Sequence, residues 1–292
     1  MAQGRHGFDA IALSLFFGAV VIGGSNVLAV RFSNQGLPPF WGAGLRFTLA
    51  AALFALLAAA FRIRLPRGAT LAQTALYGLL NFGVFYALGY WAMQYLTAGT
   101  TAILLAATPL VTLLLAAAQG LERIRARNVV GALLAIAGIA LLALRSGELD
   151  VPLLPVAAIF LSTVCLGQSI IFAKRLAHNH PIATNAVGMG TGAVLLLAVS
   201  LVAGESWSWP RQTEALAAVL YLVVVGSVVL FVLTLLLVRR WSPSATSYMI
   251  VLFPVVTPLL EAWLAHVPIT STLVAAAGLV MLGVWFGALA PE

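Results

Sequence analysis

The chain carries the stretch TAILLAATPLVT at residues 101–112 and the stretch TSYMIVLFPVVT at residues 246–257, 145 residues later. The two stretches agree at four positions, namely Thr101 with Thr246, Pro109 with Pro254, Val111 with Val256 and Thr112 with Thr257. Earlier in each repeat, residues that are 143 positions apart also match. These pairs are Gly24 with Gly167, Arg31 with Lys174, Pro38 with Pro181, Thr48 with Thr191 and Ala50 with Ala193. Prolines and basic residues that recur at a nearly constant offset predict a duplicated chain.

The composition around these stretches is that of a membrane protein. Of the 292 residues, 62% are hydrophobic and 8% are charged, and the mean hydropathy is +1.07. A soluble domain carries about 25% charged residues, so the composition excludes a soluble enzyme. The net charge of +7 does not indicate nucleic-acid binding, because the basic residues stand in short clusters between apolar runs. We therefore expect a chain that lies in a lipid bilayer and binds no nucleic acid.

Apolar runs between charged or Pro/Gly-rich breaks predict ten membrane helices, each close to the ~20 residues that cross a bilayer. Approximately, they cover residues 9–30, 38–61, 69–95, 98–120, 128–145, 151–173, 182–203, 214–238, 244–265 and 270–289. With the N-terminus in the cytoplasm, eleven of the fifteen Lys and Arg residues lie on the cytoplasmic side and three lie outside. This bias is typical of membrane proteins. The sequence thus predicts an all-α polytopic membrane protein with both termini in the cytoplasm.

The duplication divides these helices into two units of five, residues 1–145 and 146–292. Because five is odd, the second unit enters the membrane from the opposite side, so the predicted fold is a 5+5 inverted-topology repeat. Two such halves can open a central site alternately to each side of the membrane. This arrangement favours a secondary transporter that works by alternating access, whereas a channel or a membrane enzyme gains less from it. The glycine pairs Gly188/Gly192 and Gly283/Gly287 predict close helix contacts.

Several short motifs resemble those of the drug/metabolite transporter superfamily and, within it, of the EamA family. They are Gly23-Gly24-Ser25-Asn26, Leu37-Pro38-Pro39, Arg46-Phe47, Ala98-Gly99-Thr100-Thr101, Thr108-Pro109-Leu110 and Leu121-Glu122-Arg123. The resemblance extends over essentially the whole chain and is closest to amino-acid exporters of the YddG type. It implies ten spans in a bacterial inner membrane, with both termini cytoplasmic. It also implies export of small metabolites, with neutral or aromatic amino acids as the expected substrates.

Polar side chains inside a span are costly unless they face protein or water, so they mark candidate binding sites. Asn81, near the middle of the third span, is the first candidate for binding substrate, and Phe85 lies one turn further on the same face. The resemblance adds that the position of Asn81 faces the cavity in YddG-type exporters. The alternative for Asn81 is a structural hydrogen bond to a neighbouring helix. Tyr86, Tyr90 and Gln94 form a stripe roughly opposite Asn81, and that position favours packing.

The sixth span contributes two further candidates, Gln168 and Ser169, which the repeat aligns with Ser25 and Asn26 of the first span. Polar residues at equivalent places in both halves are expected for a substrate site at the repeat interface. Interhelical bonding explains them equally well. Together with Asn81, they predict a central site for an amphipathic ligand.

Thr108 and Arg46 complete the predicted substrate site. Thr108 shares a helical face with Thr101 and Thr112, although threonine also bonds to the backbone of its own helix. Arg46 has three alternatives: it attracts a substrate carboxylate, extends to the membrane surface, or closes a structural ion pair.

Three further residues have predicted roles in the transport cycle. Glu261 is the acid placed inside a span and is the first candidate for proton coupling, with facilitated export or exchange equally open. Pro109 and Pro254 each remove a backbone donor at equivalent positions, which predicts a kink or hinge in both helices.

The sequence contains no HExxH, Walker loop, CxxC pair or nucleophile elbow, which argues against an enzyme, an ATP-driven pump and any cofactor or metal site. The expected partners are a small-molecule substrate and the lipid bilayer. The oligomeric state stays open, and a monomer is compatible with the sequence. Broad drug or metabolite efflux is the first alternative function. A membrane scaffold or enzyme without transport activity is the alternative from another class.

Overall fold

A computed structural model describes residues 10–96, 98–144, 152–265 and 271–289, and the regular elements in these residues are all helices. They form ten membrane helices: α1 Ala10–Asn34, α2 Pro39–Ala60, α3 Gly68–Ala92, α4 98–118, α5 Ala126–Leu144, α6 Leu153–Arg175, α7 Pro181–Val202, α8 Thr213–Arg240, α9 Pro243–Ala265 and α10 Ser271–Leu289. Eight of these are long and apolar enough to cross a membrane, and α4 and α5 supply shorter apolar helices. The predicted all-α fold of ten membrane helices in a 5+5 inverted repeat is confirmed.

Prolines and residues with positive φ mark several helix ends. Pro39, Pro181 and Pro243 occupy the first helical position, where a backbone N–H would have no partner inside the helix. Gly120 (φ 70°) and Gly204 (φ 69°) follow α4 and α7 in the left-handed region, which glycine adopts without a Cβ clash. Short connections follow these helix ends, so successive helices run antiparallel.

Each repeat packs its first helix against the other repeat. The first helix, α1, lies against α8 and α9, and its counterpart α6 lies against α3 and α4. The second helices, α2 and α7, pair with each other, as do the fifth helices, α5 and α10. The interface between the repeats therefore runs through the centre of the molecule.

Glycine allows several of these helices to touch through their backbones. A Cβ on Gly78 of α3 would overlap the backbone of Gly188 in α7, and a Cβ on Gly192 would also overlap α3. On α10, a Cβ on Gly283 would overlap the backbone of α5 at Gly131, and a Cβ on Gly131 would overlap the backbone of Gly287. The predicted role of both glycine pairs in close helix contact is confirmed, and both contacts are formed within the chain.

Two helices contain a π-helical segment at equivalent positions. The segment covers Leu79–Val84 in α3 and Val224–Val229 in α8, again 145 residues later. A π turn contains one more residue than an α turn, and such segments frequently occur at functional sites. The duplication in the sequence therefore extends to an irregularity of the backbone.

The fourth helix of the first repeat is interrupted, whereas its counterpart in the second repeat is continuous. Within α4, Ala98–Leu105 and Thr108–Ala118 form separate pieces, and Pro109 stands near the start of the second. Helix α9 continues through both Pro254 and Pro258. The two prolines expected to act as hinges thus have different surroundings, since one follows a break and the other lies inside an unbroken helix. Proline alone does not determine where the helix breaks.

Candidate functional site

Asn81 lies in the π-helical segment of α3 and connects this helix to α6. Its Oδ1 accepts a hydrogen bond from Ser169 Oγ at 3.0 Å, and its Nδ2 donates to the Tyr77 hydroxyl over 3.4 Å. Asn81 is 6% exposed and Ser169 is 0% exposed. Two of the predicted site residues are therefore brought together at the interface between the repeats.

The equivalent residues of the other two helices are also hydrogen-bonded. Asn26 of α1 aligns with Ser169, and Gly226 in the π-helical segment of α8 aligns with Asn81. Asn26 Nδ2 donates to the Gly226 carbonyl at 3.0 Å. The first helix of each repeat is thus bonded to the π-helical segment of the other, and the pseudo-two-fold relates the two bonds.

Arg46 of α2 lies beside the second of these bonds. Its Nε donates to Ser227 Oγ at 2.8 Å, and its Nη2 donates to the Gly226 carbonyl at 2.7 Å. The guanidinium also lies 5.0 Å from the centroid of the Phe47 ring. Arg46 is only 3% exposed, so its side chain does not extend to the membrane surface. The side chains that the structure describes include no carboxylate paired with it.

Aromatic side chains from α3 lie next to Arg46 and Phe47. The Tyr86 ring packs edge-on against Phe47, with 4.8 Å between the centroids, and it also contacts Phe85 and Tyr90. Regular helical spacing predicts this stripe on the face opposite Asn81, and in the structure Tyr86 packs against Phe47 of α2, whereas Asn81 is bonded to Ser169 of α6.

Gln168 faces a different neighbour from Ser169. Its Oε1 accepts a hydrogen bond from Gln119 Nε2 at 2.9 Å, and Gln119 Oε1 accepts another from Arg175 Nη2 at 2.8 Å. Gln168 thus belongs to a polar chain between the ends of α4 and α6. The structure places Ser169, and not Gln168, in contact with Asn81, so a shared substrate site for Asn81 and Gln168 stays a prediction.

Thr108 and Pro109 lie at the break in α4. Thr108 is fully buried, and its hydroxyl donates to the carbonyl of Leu105 across the break. This is the bond to its own helix that the sequence offered as the alternative to substrate binding. The hydroxyls of Thr101 and Thr112, on the same predicted face, are buried without a partner in the described part of the chain.

Glu261, the predicted coupling residue, lies near the end of α9, and its side chain is outside the described residues. Its role in coupling therefore stays a prediction. Within residues 10–96, 98–144, 152–265 and 271–289, no group of three His, Cys, Asp or Glu side chains could hold a metal ion.

Two carboxylates hold the starts of helices in the opposite repeat. Glu122, after α4, accepts hydrogen bonds from the backbone N–H of Ser244 at 3.0 Å and from its hydroxyl, at the start of α9. Glu205, after α7, accepts bonds from the backbone N–H groups of Phe40 and Trp41 at 3.1 and 2.6 Å, at the start of α2. A carboxylate is favourable there because it satisfies free N–H groups at the positive end of the helix dipole.

Lys174, at the end of α6, holds the adjoining end of α8. Its Nζ donates to the carbonyls of Val238, Arg239 and Trp241 at 2.7, 3.1 and 2.9 Å. Such carbonyls have no partner inside their own helix. Glu122 and Lys174 together hold the turn between α8 and α9 from both sides.

Gly226, Ser227 and Gln119 are parts of these networks that the sequence did not single out. Gly226 contributes through its backbone carbonyl, and a carbonyl leaves no signal in the residue type. The repeat offset is a usable signal, because Gly226 stands 145 residues after Asn81 and Ser227 stands beside it.

An inverted repeat of membrane helices with buried polar groups between its halves defines the architecture of a membrane transporter. The sequence profile of the EamA-like transporter family matches residues 10–144 and again residues 153–288. The chain belongs to this family, and the resemblance seen in its motifs is confirmed.

Individual relatives agree with this assignment. The chain is 29% identical over 246 residues to the uncharacterised inner membrane transporter YedA of Escherichia coli K12, covering 84% of this chain and 79% of YedA. It is 28% identical over 249 residues to a probable terminal-alkyne amino-acid exporter of Streptantibioticus cattleyicolor, covering 83% of this chain and 82% of that protein. A crystal structure with 20% sequence identity superposes with a TM-score of 0.81 over 95% of this chain and 96% of the other, which shows the shared fold.

Proposed function

We propose that this transporter exports small amphipathic metabolites across the bacterial inner membrane by alternating access, with neutral or aromatic amino acids as its substrates. The pair of bonds from Ser169 to Asn81 and from Asn26 to Gly226 carries the proposal. These bonds join the two repeats at equivalent, buried positions. Halves that exchange conformations during transport would exchange these contacts as well.

The surroundings of this interface suit an amphipathic solute. Asn81 and Arg46 supply polar groups, while Phe85, Tyr86 and Tyr90 supply partly buried aromatic surface beside them. A few placed polar groups within an apolar lining are typical of small-molecule sites. The S. cattleyicolor relative, a probable amino-acid exporter, supports amino acids as the class to test. The basic loops favour cytoplasmic termini.

Flux of radiolabelled neutral amino acids into proteoliposomes of the purified protein tests this function. We expect saturable flux, and slower flux for Asn81→Ala and Ser169→Ala at equal protein content. Ser162→Ala is the matched control on α6, because its hydroxyl bonds only to the backbone of its own helix at Ile159. Flux of hydrophobic drugs without flux of any amino acid would favour broad efflux, and no flux of either would contradict a transport role.

The same vesicles test whether transport is coupled to protons. Glu261 is the candidate for the coupling residue, so we expect any proton-driven component to disappear in Glu261→Gln. Flux that is identical with and without an imposed proton gradient would instead establish facilitated export or exchange.

A further inference from the structure

We propose that Arg46 and Tyr90 form the subsite that binds the carboxylate of the transported solute. This inference rests on the proposed transport function and narrows its substrate class to monocarboxylates with an apolar or aromatic body. It chooses among the three alternatives that the sequence leaves for Arg46.

The hydrogen bonds of Arg46 leave one edge of its guanidinium available. The group has five N–H donors, of which Nε and Nη2 each use one, on Ser227 and on the Gly226 carbonyl. Nη1 makes no hydrogen bond to a described residue, and it is not among the fully buried polar atoms without a partner, so it is not completely enclosed. The edge formed by Nη1 and the second N–H of Nη2 is one that binds a carboxylate through two parallel bonds.

The charge of Arg46 lacks a counter-ion among the side chains that the structure describes. Glu122 and Glu205 are bonded to helix starts, and Glu214 is exposed at the start of α8. An unpaired charge inside a membrane protein is costly. The carboxylate of a bound solute supplies the missing negative charge, and the bond to the Gly226 carbonyl holds Arg46 when the solute leaves.

Tyr90 adds a second donor in the aromatic group beside this cation. Its ring lies 6.0 Å from the Tyr86 ring, which packs 4.8 Å from Phe47 beside Arg46. The Tyr90 side chain is partly exposed, and its hydroxyl makes no hydrogen bond to a described residue. Phe85 and Tyr86 provide aromatic surface beside it. One cation, one hydroxyl and two aromatic faces match a carboxylate attached to an apolar or aromatic group.

The test compares three compounds that differ only in their charged groups. L-Phenylalanine carries both groups, 3-phenylpropionate lacks the amine, and phenethylamine lacks the carboxylate. We expect both acids to raise the melting temperature of the purified full-length protein in detergent, and the amine to require a concentration about tenfold higher or more. A second series of L-leucine, 4-methylpentanoate and 3-methylbutylamine covers a site too small for a phenyl ring.

Variants assign the preference to the proposed residues. Arg46→Met introduces the residue that stands at the equivalent position of the second repeat, Met189, and should abolish the preference for acids. Arg46→Lys keeps the charge without the planar fork and should weaken binding of both acids, as should Tyr90→Phe. These two conservative variants keep the proposal testable if Arg46→Met does not fold. Ser227→Ala removes a partner of Arg46 but leaves the free edge, so it should retain the preference.

The outcomes separate this inference from the transport function. Three results overturn the carboxylate subsite: equal stabilisation by acids and amines, no stabilisation by any acid in either series, or unchanged binding of the acids in both conservative variants. The subsite is also overturned if Ser227→Ala loses the preference for acids as completely as Arg46→Met does. That result would indicate that Arg46 only holds α2 against α8. Saturable amino-acid flux would leave the transport function standing in each case, whereas its absence contradicts that function.

Discussion

The crevice between α3 and α7 and the crevice between α8 and α2 are equivalent in the inverted repeat, yet they are closed in different ways. In the first, Gly78 and Gly188 bring two backbones into contact. In the second, the equivalent positions are Val223 and Leu45, both buried, so side chains separate the helices. Arg46 extends into this second crevice and reaches α8.

A few substitutions thus make two copies of one design unequal. The pseudo-two-fold exchanges the two crevices, because the second repeat is inverted. Glycine allows two backbones to touch in one crevice, and the charged side chain of Arg46 enters the other. Met189, the counterpart of Arg46, is buried and uncharged. One half of the molecule therefore carries the tight contact and the other carries the cation.

The backbone seal predicts the largest effect. Gly78→Ala places a methyl group against the backbone of Gly188, which cannot move aside as a side chain could, so we expect a loss of about 1–3 kcal/mol in the free energy of unfolding. The melting temperature in detergent measures it. Gly89→Ala is the matched control on the same helix, since its new methyl group meets no atom within 4 Å. Similar melting temperatures for both variants would contradict a seal at Gly78.

The break in α4 predicts the next largest effect. If the two halves exchange conformations, the state that faces the other side of the membrane should have a continuous α4 and an α9 that opens at residues 251 and 252, ahead of Pro254. Hydrogen exchange measures this, because each lost backbone bond of about 1 kcal/mol speeds exchange roughly fivefold. In the conformation described here, we expect faster hydrogen exchange at the α4 break than at residues 251 and 252 of α9. In the conformation that faces the other side of the membrane, we expect faster exchange in α9 than in α4. If the ratio of exchange rates between α4 and α9 is the same in both conformations, the break in α4 is caused by its local sequence and not by the transport cycle.

The two equivalent bonds predict smaller and matched effects. Asn26→Ala and Ser169→Ala each remove one interhelical bond, worth about 0.6 kcal/mol on average in a membrane protein. We expect both variants to slow transport by similar factors, measured as initial flux per amount of protein in proteoliposomes. A loss confined to one of the two variants would show that the two bonds do not have equivalent roles.

The smallest effect concerns another equivalent pair. Thr257 Oγ1 donates to the Gly24 carbonyl of α1 at 2.9 Å, whereas the hydroxyl of Thr112, beside Gly167 of α6, is buried without a partner in the described residues. Thr257→Val should lower stability by about 0.6 kcal/mol. Thr112→Val should be neutral or slightly stabilising, because it removes an unsatisfied polar atom. The unfolding midpoints of the two variants measure these changes. Equal losses of stability in both variants would contradict this difference between the repeats.

The fold could be predicted from the sequence because its signals are large. Apolar runs, the bias of basic residues and a repeat of five helices agreed, and the spans lie close to their predicted bounds, as for residues 214–238 and the observed Thr213–Arg240. Pro109 predicts a kink in α4, but Pro254 predicts one equally in the continuous α9, so the sequence could not show which of the two helices is broken. The break falls at Ala106 and Ala107, and hydropathy treats these residues as part of one apolar run.

The site could be predicted only in part. Asn81 and Ser169 were identified separately as polar residues inside spans, and the repeat aligned Ser169 with Asn26. Their contacts could not be foreseen, because the sequence shows neither which helices pack against each other nor that Asn81 lies in a π-helical segment. The Gly226 carbonyl that receives Arg46 and Asn26 belongs to the main chain, which residue types do not reveal.

Helix α6 connects the buried centre of the molecule to the turn between α8 and α9 at one membrane surface. Within this helix Ser169 is bonded to Asn81, and Lys174, about 8 Å further along the axis and near the end of the helix, is bonded to the turn between α8 and α9. A rotation of α6 that breaks the bond at Asn81 therefore pulls on this turn at the same time. A change at the Ser169–Asn81 bond and a movement of the turn between α8 and α9 are therefore coupled through one helix.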